Sequence, residues 1–277
     1  MISGLTFDYA HARVAARLAQ RPDERLWTQL RSSRSVPALL EAVRASSAAP
    51  TVSGVPPTGD ADAIELAFRQ QLRTRIVEVA SWSPAPWRPS LLYTRHLIDL
   101  PALLHLVADE PPPRWTAADP ALSPYALATV AQRRTALAEG PLGPLVAAAE
   151  RSTDARRPVE PIARALRRLR AGGTLHRLLA AWEAQWRRLW PALGDEERSV
   201  LDGVVEQVRS HLLRFPALPV DDAAGARQAL GARLATAVRR GASQPAALFA
   251  YLALFAVDLE RLRGEFMLRA RPVGGNA

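Results

Sequence analysis

The sequence predicts an all-α protein built as a multi-helix bundle, and three observations carry that expectation. Apolar residues recur at the 3.6-residue period of a helix face through most of the chain and almost nowhere alternate with the two-residue period of a strand. Proline and glycine punctuate these stretches at short intervals, and such connections favour antiparallel helical neighbours. With 277 residues, 48% apolar and 23% charged, the chain has a globular composition and the length to bury roughly 70% of its unfolded surface.

The elements follow in order. A first helix is expected from Leu5 to Gln20, with Leu5, Tyr9, Ala12, Ala16 and Ala19 on one face and Arg13, Arg17 and Arg21 on the other. Pro22 ends it. Short one-faced helices follow, from Asp23 to Arg31 with Leu26, Trp27 and Leu30, and from Val36 to Ala45 with Leu39, Leu40 and Val43. Residues 46 to 60 are small, Pro-rich and Gly-rich, and read as a loop. From Asp62 to Ser81 a long helix carries Ile64, Ala67, Phe68, Leu72, Ile76 and Val79 on its apolar side, until Ser83-Pro84-Ala85-Pro86 stops it. Leu91 to Ala108 gives the next helix. Pro111-Pro112-Pro113 then breaks the chain, placing a boundary within 109 to 122 and dividing the sequence into an N-terminal helical unit, 1–109, and a C-terminal region, 110–277.

Beyond that boundary, helices are expected near 123 to 138, 141 to 151, 158 to 170, 174 to 190, 195 to 214, 222 to 240 and 244 to 270. No strict repeat of 20 to 50 residues is present, which argues against a regular solenoid. The longest apolar run, Ala246 to Val257 closed by Asp258, falls short of the roughly 18 to 20 residues that cross a bilayer. It reads as a buried core helix. The opening segment lacks a basic stretch followed by an apolar one, so no secretory signal is expected and the chain should stay in the cytoplasm.

Composition excludes whole classes of chemistry. Absence of cysteine removes disulfides, thiolate metal sites and a cysteine nucleophile. Absence of lysine removes the Gly-rich phosphate loop that ends in Lys, Schiff-base catalysis and a kinase lysine. Arginine-only usage also fits the codon bias of a GC-rich genome. Among His11, His96, His105, His176 and His211 no pair stands at i, i+3 or i+4, so no metal site is expected. Asp60 with Asp62, and Asp221 with Asp222, suit helix starts, where carboxylates satisfy the first-turn amides. Gly172-Gly173-Thr174 reads as a plain turn between helices. No G-x-S-x-G occurs, and neither a catalytic residue nor a cofactor is expected.

Charge gives a sharper signal. The 36 basic residues against 27 acids leave +9. Residues 151 to 190 hold ten arginines against three acids, Asp154, Glu160 and Glu183, so one expected hairpin carries +7. Such a surface suits an acidic protein, an anionic lipid or a nucleic acid, or is simply a solvated face. On the same hairpin Trp182, Trp186 and Trp190 stand at i, i+4 and i+8. That stripe reads first as intramolecular packing, then as a protein interface, and last as a base-stacking row.

Two stretches add a likeness. Tyr9-Ala10-His11-Ala12-Arg13-Val14 resembles the Tyr-x-x-Ala-Arg-Val/Ile opening of the C-type subunit of the A-type and V-type rotary ATPases, the d-type subunit in eukaryotes. Ile64-Glu65 at the start of the long helix, and Leu97-Ile98-Asp99-Leu100-Pro101-Ala102-Leu103-Leu104, are similar to that family's first unit, although Asp99 stands where the family has asparagine and Pro101 where it has a polar helix former. Ala250-Tyr251-Leu252-Ala253-Leu254 with Asp258-Leu259-Glu260-Arg261-Leu262-Arg263 resembles the family's closing helix.

The resemblance implies a non-catalytic coupling subunit. It would be a funnel-like array of helical units on the cytoplasmic face of the proteolipid ring, peripheral to the inner membrane, receiving the D-type and F-type proteins of the central stalk and serving ion transport. Neither cofactor nor small-molecule substrate is implied. Within that reading, Tyr9 and Arg13 anchor the first helix to the closing helix. Arg164, Arg167, Arg168, Arg177, Arg187 and Arg188 face an acidic partner. The competing expectation is a basic all-α nucleic-acid-binding or regulatory protein that uses the same hairpin.

Overall fold

Side-chain caps set several of the helix starts. Asp23 accepts from the Leu26 amide ahead of α2 (Glu24–Ser32), and Ser35 from the Ala38 amide ahead of α3 (Val36–Arg44). Asp60 accepts from the Asp62 and Ala63 amides to open α4 (Ala61–Trp82), the role its place in the sequence predicts. Each supplies an acceptor to first-turn amides that have no partner within the helix.

The computed structural model describes residues 7–107, 112–127, 129–140, 142, 143, 145, 147, 174–215 and 218–270. Within these the chain is all-α and no strand occurs. Before α2 stands α1 (Asp8–Leu18). After α4 come α5 (Arg88–Tyr93), α6 (His96–Val107), α7 (Trp115–Ala118) and α8 (Val130–Glu139), then α9 (Thr174–Arg187), α10 (Asp195–Arg214), α11 (Val220–Arg240) and α12 (Pro245–Met267). Short 3₁₀ turns at Ala49–Val52, Ala85–Trp87 and Ser123–Tyr125 fill three of the connections. The helices expected near 141–151 and 158–170, and the Gly172-Gly173 turn, lie wholly or mostly outside the described residues.

The chain forms two compact units, and the division differs from the expected one at 109/110. The first comprises Met1–Leu92, Pro191–Val205 and Arg227–Ala277, and the second Tyr93–Trp190 with Glu206–Ala226. One helix expected from Leu91 to Ala108 is therefore two. Bonds from the Leu97 amide to Thr94 and from the Ile98 amide to Arg95 turn the chain between α5 and α6. Buried Leu91 serves the first core and buried Leu100 and Leu103 the second. Proline marks this passage less clearly than it marks a loop, because Pro101 sits inside α6 without ending it.

In the first unit α12 packs along α4, and α1 packs against both. Leu30, Leu39, Leu40, Ile64, Leu262 and Phe266 form the fully buried centre. Phe68 and Phe266 meet edge to face at 5.6 Å. Because α12 is apolar nearly all round, from Ala246 to Phe255, it is buried on most sides, as the sequence predicts. In the second unit α6 packs on α8, and Leu122, Leu137, Leu142 and Leu145 are buried. Asp221 and Asp222 fall inside the first turn of α11, which begins two residues earlier than expected.

Candidate functional site

A polar joint in the first unit brings together charged side chains from α1, the turn after it, α4 and α12. It begins with α1, whose inward stripe runs Phe7, Ala10 and Val14 and continues through Arg17 and Arg21. That corrects the face expected from the sequence. Tyr9 is 61% exposed, and Ala12, Ala16 and Ala19 are exposed too. The helix has two apolar stripes, and the one whose extension reaches carboxylates is the one that packs.

Arg17 Nη2 donates to Glu78 Oε1 at 2.8 Å, and Glu78 Oε2 lies 3.3 Å from Arg75 Nη1. Arg75, only 8% exposed, donates through Nη1 to the Tyr251 hydroxyl at 3.0 Å and lays its guanidinium 4.6 Å from the Phe255 ring centroid. Arg21 grips both oxygens of Asp258, Nε to Oδ2 at 2.6 Å and Nη2 to Oδ1 at 2.8 Å. This bidentate fork is the strongest geometry open to arginine and carboxylate. Burial pushes the Tyr251 phenol above its ordinary pKa, with Arg75 opposing, so the phenol keeps its proton at neutral pH.

Farther along α12 the arginine joints continue. Arg263 Nη1 donates to Glu65 Oε2 at 2.9 Å, and Glu65 also lies 3.5 Å from Arg69. Burial works against the Arg263 charge, yet Glu260 and Glu65 hold its pKa above the usual arginine value. Arg261 stacks 3.8 Å from the Trp27 ring centroid and stands 3.6 Å from Glu24. Its pKa falls below the ordinary value through desolvation, with Glu24 opposing. Arg269 then caps the C-terminus of α2, donating to the carbonyls of Ser33 at 2.6 Å and Arg31 at 3.1 Å. Of the quoted closing segment, Asp258, Arg261 and Arg263 tie α12 to its neighbours while Leu259 and Leu262 are buried in the core. The carboxylates of this joint are engaged by arginine, and the arrangement fixes helices relative to one another.

The expected anchor pair lies elsewhere. Arg13 is exposed, 4.9 Å from the Trp82 ring centroid on α4 and 5.9 Å from Tyr9. The ionic tie of the first helical segment to α12 is made instead by Arg21 and Asp258. Arg164, Arg167 and Arg168 lie outside the described residues. Arg177 and Arg188 are exposed on α9 and just beyond its end, whereas Arg187 is drawn inward, with Nε on Glu183 at 2.8 Å and its guanidinium 4.8 Å from the Trp190 ring.

Within the second unit the tryptophan stripe is packed. Trp182 and Trp186 are 5% and 3% exposed and stack with centroids 4.9 Å apart, Trp186 meets Trp190 edge-on at 5.0 Å, and Tyr93 stacks on Trp182 at 5.9 Å. Among the described residues no group of three His, Asp or Glu side chains could hold a metal ion. His96 is buried with Nδ1 3.8 Å from Asp99, and His176 is exposed beside Arg209.

Sequence reasoning missed Arg21, Arg75, Glu78 and Arg269. Two signals pointed to Arg21 and its partner Asp258, the spacing 7, 10, 14, 17, 21 on one helical face and an acid placed directly after the longest apolar run, and none to the other three. No family model matches the chain, and no match is found among curated proteins or solved structures.

Proposed function

We infer that the chain is a non-catalytic coupling component of a rotary ATPase, similar to the C-type subunit, and that it links a central stalk to a membrane proteolipid ring. One observation carries most of this reading. Two of the stretches on which the resemblance rests, far apart in the sequence, meet in the first unit: Glu65 pairs with Arg263 across 198 positions, while Leu97–Leu104 belongs to the second unit. A set of motif residues that close on one another has the character of one structural signature rather than separate chance matches.

Two further features support it. Force transmission asks for packed, stiff helices rather than a nucleophile, and α12 is buried on most sides and tied by ionic joints to α1, α2 and α4 or their flanking turns. No described helix is long and apolar enough to cross a membrane, so a place at the inner membrane would run through partner proteins. The nucleic-acid reading has lost its aromatic support, because the Trp182 and Trp186 faces are occupied by neighbouring rings.

The test is recovery of the tagged chain from gently solubilised membranes of its native host across a salt series. Co-purification of a proteolipid ring with the A-type, B-type, D-type and F-type proteins of a rotary ATPase is the expected result. Recovery with nucleic acid, or without any rotary component, overturns the reading.

A further inference from the structure

The polar joint of the first unit borders a cavity of about 40 Å³. One wall is Arg17 of α1 with Arg21 just beyond that helix, a second is Arg75 of α4, a third is α12 with Tyr251, Phe255 and Asp258, and the 3₁₀ turn at Ala49–Val52 supplies Pro50 and Thr51. A single water needs roughly 10 to 15 Å³ of such space. The hole therefore takes a monatomic ion with a water or two, and is small for a tetrahedral oxyanion.

Its charge balance is uneven. Three arginines, Arg17, Arg21 and Arg75, are among its lining residues against one acidic residue, Asp258, and a second carboxylate, Glu78, is paired with Arg17 and Arg75. The sum is one positive charge in excess, in a site where Arg75 is 8% exposed and Tyr251 3%. Tyr251 adds a second, independent observation. Its oxygen accepts from Arg75, which leaves its own proton to donate, and no hydrogen bond takes that proton among the described residues. A buried hydroxyl donor without an acceptor is costly unless something at the cavity receives it.

We propose that this cavity binds one small monovalent anion of halide size, held by the Tyr251 hydroxyl and the excess guanidinium charge of Arg17, Arg21 and Arg75. The ion neutralises the excess charge, accepts from the phenol, and joins α1, α4 and α12 through one shared centre. Its role is independent of the rotary reading, since it rests on the geometry of this unit alone.

The experiment is ³⁵Cl NMR of sodium chloride with the full chain, titrated against sodium bromide and, separately, sodium sulfate at constant ionic strength. Saturable excess line broadening that bromide removes and sulfate leaves is expected. Surface arginines bind chloride diffusely, so the deciding comparison is Tyr251→Phe, which keeps every arginine and the ring. The site's affinity should fall about tenfold in that variant. Absence of saturable broadening in the parent chain overturns the proposal, as does equal broadening in Tyr251→Phe or displacement by sulfate at equal concentration. Far-ultraviolet circular dichroism establishes that both proteins are folded. Arg75→Lys gives a second check, because it keeps the positive charge, and should weaken chloride less than Arg75→Gln.

Discussion

In the first unit, α12 meets its neighbours through arginine: Asp258 takes the Arg21 fork, Arg263 reaches Glu65, and Arg261 lies on Trp27. In the second, α9 presents Trp182, Trp186 and Trp190 as a ladder of rings against Tyr93. The two solve one problem, holding a helix in register, by opposite means. A buried ionic joint contributes little net stability, because desolvation offsets the attraction, yet it penalises any misplacement strongly by stranding a charge. A ring ladder contributes much apolar burial and tolerates small slides. The first unit should thus be the more exacting in geometry, and the second the more dependent on bulk.

The largest effect should come from removing that bulk. Trp186, 3% exposed between two other indoles, is predicted to cost about 3–5 kcal/mol as Trp186→Ala, measured by urea denaturation. Trp182→Phe should be far milder, because the Trp182 indole N–H is buried without a partner and its loss removes that penalty. A severe Trp182→Phe together with a mild Trp186→Ala would break the contrast, since the ladder would then work through polarity rather than volume.

The next effect tests the ionic joint. Asp258→Ala leaves Arg21 with a lost fork, and because the Arg21 side chain keeps 30% exposure, the cost should be about 2–3 kcal/mol rather than the full figure for a wholly buried pair. Replacing both partners, Arg21→Met with Asp258→Leu, should restore most of that loss. The double-mutant cycle by chemical denaturation reads the coupling directly. A coupling near zero would mean that the fork is ornamental and that apolar contacts alone hold α1 to α12.

This contrast also explains what the sequence disclosed. All-α character, the inward residues of α2 and α3, and the span Asp195–Arg214 of α10 were legible, because each follows from local period and caps. The face of α1 was not. Periodicity assigns arginine outward, and only a carboxylate 237 positions away reverses that for Arg21. The tryptophan line was visible as a line, yet helical spacing is silent on what lies over it, so Tyr93 had to be seen in place. The unit boundary was missed for a related reason: a proline run marks a break in local structure, whereas Leu92/Tyr93 is set by which core each leucine joins. Asp258 sat in plain view, an acid ending an apolar run, and was legible as an element end rather than as a joint.

A subtler test concerns Tyr251. Burial raises its pKa in the folded protein, with Arg75 opposing, above the ordinary 10.0. The unfolded chain therefore releases this proton first as pH rises. The contribution is fully present below the unfolded value and is lost progressively as pH climbs through it toward the folded value. The urea midpoint of the parent chain should fall more steeply above about pH 10 than that of Tyr251→Phe. Because Tyr93 and Tyr125 are raised by burial as well and are present in both proteins, the difference between the two slopes isolates Tyr251. Parallel slopes would place the phenol in contact with water and remove it from the joint.

The smallest effect separates the two stripes of α1. Tyr9 is 61% exposed and Arg13 is exposed over Trp82, so Tyr9→Ala should stay within the roughly ±0.5 kcal/mol of ordinary surface changes. Arg13→Ala should lose about 0.5–1 kcal/mol, the worth of an exposed cation–π contact. Val14→Ala lies on the opposite, fully buried stripe and should cost more than either, about 1–2 kcal/mol. Thermal and urea unfolding of the three variants ranks them. If Tyr9→Ala proved as costly as Val14→Ala, the outer stripe would be packed and the inward turn of Arg17 and Arg21 would have to be abandoned. If the ranking holds while Tyr9→Ala or Arg13→Ala abolishes co-purification with the rotary proteins, the likeness in this segment reflects contact with a partner rather than the folding of α1.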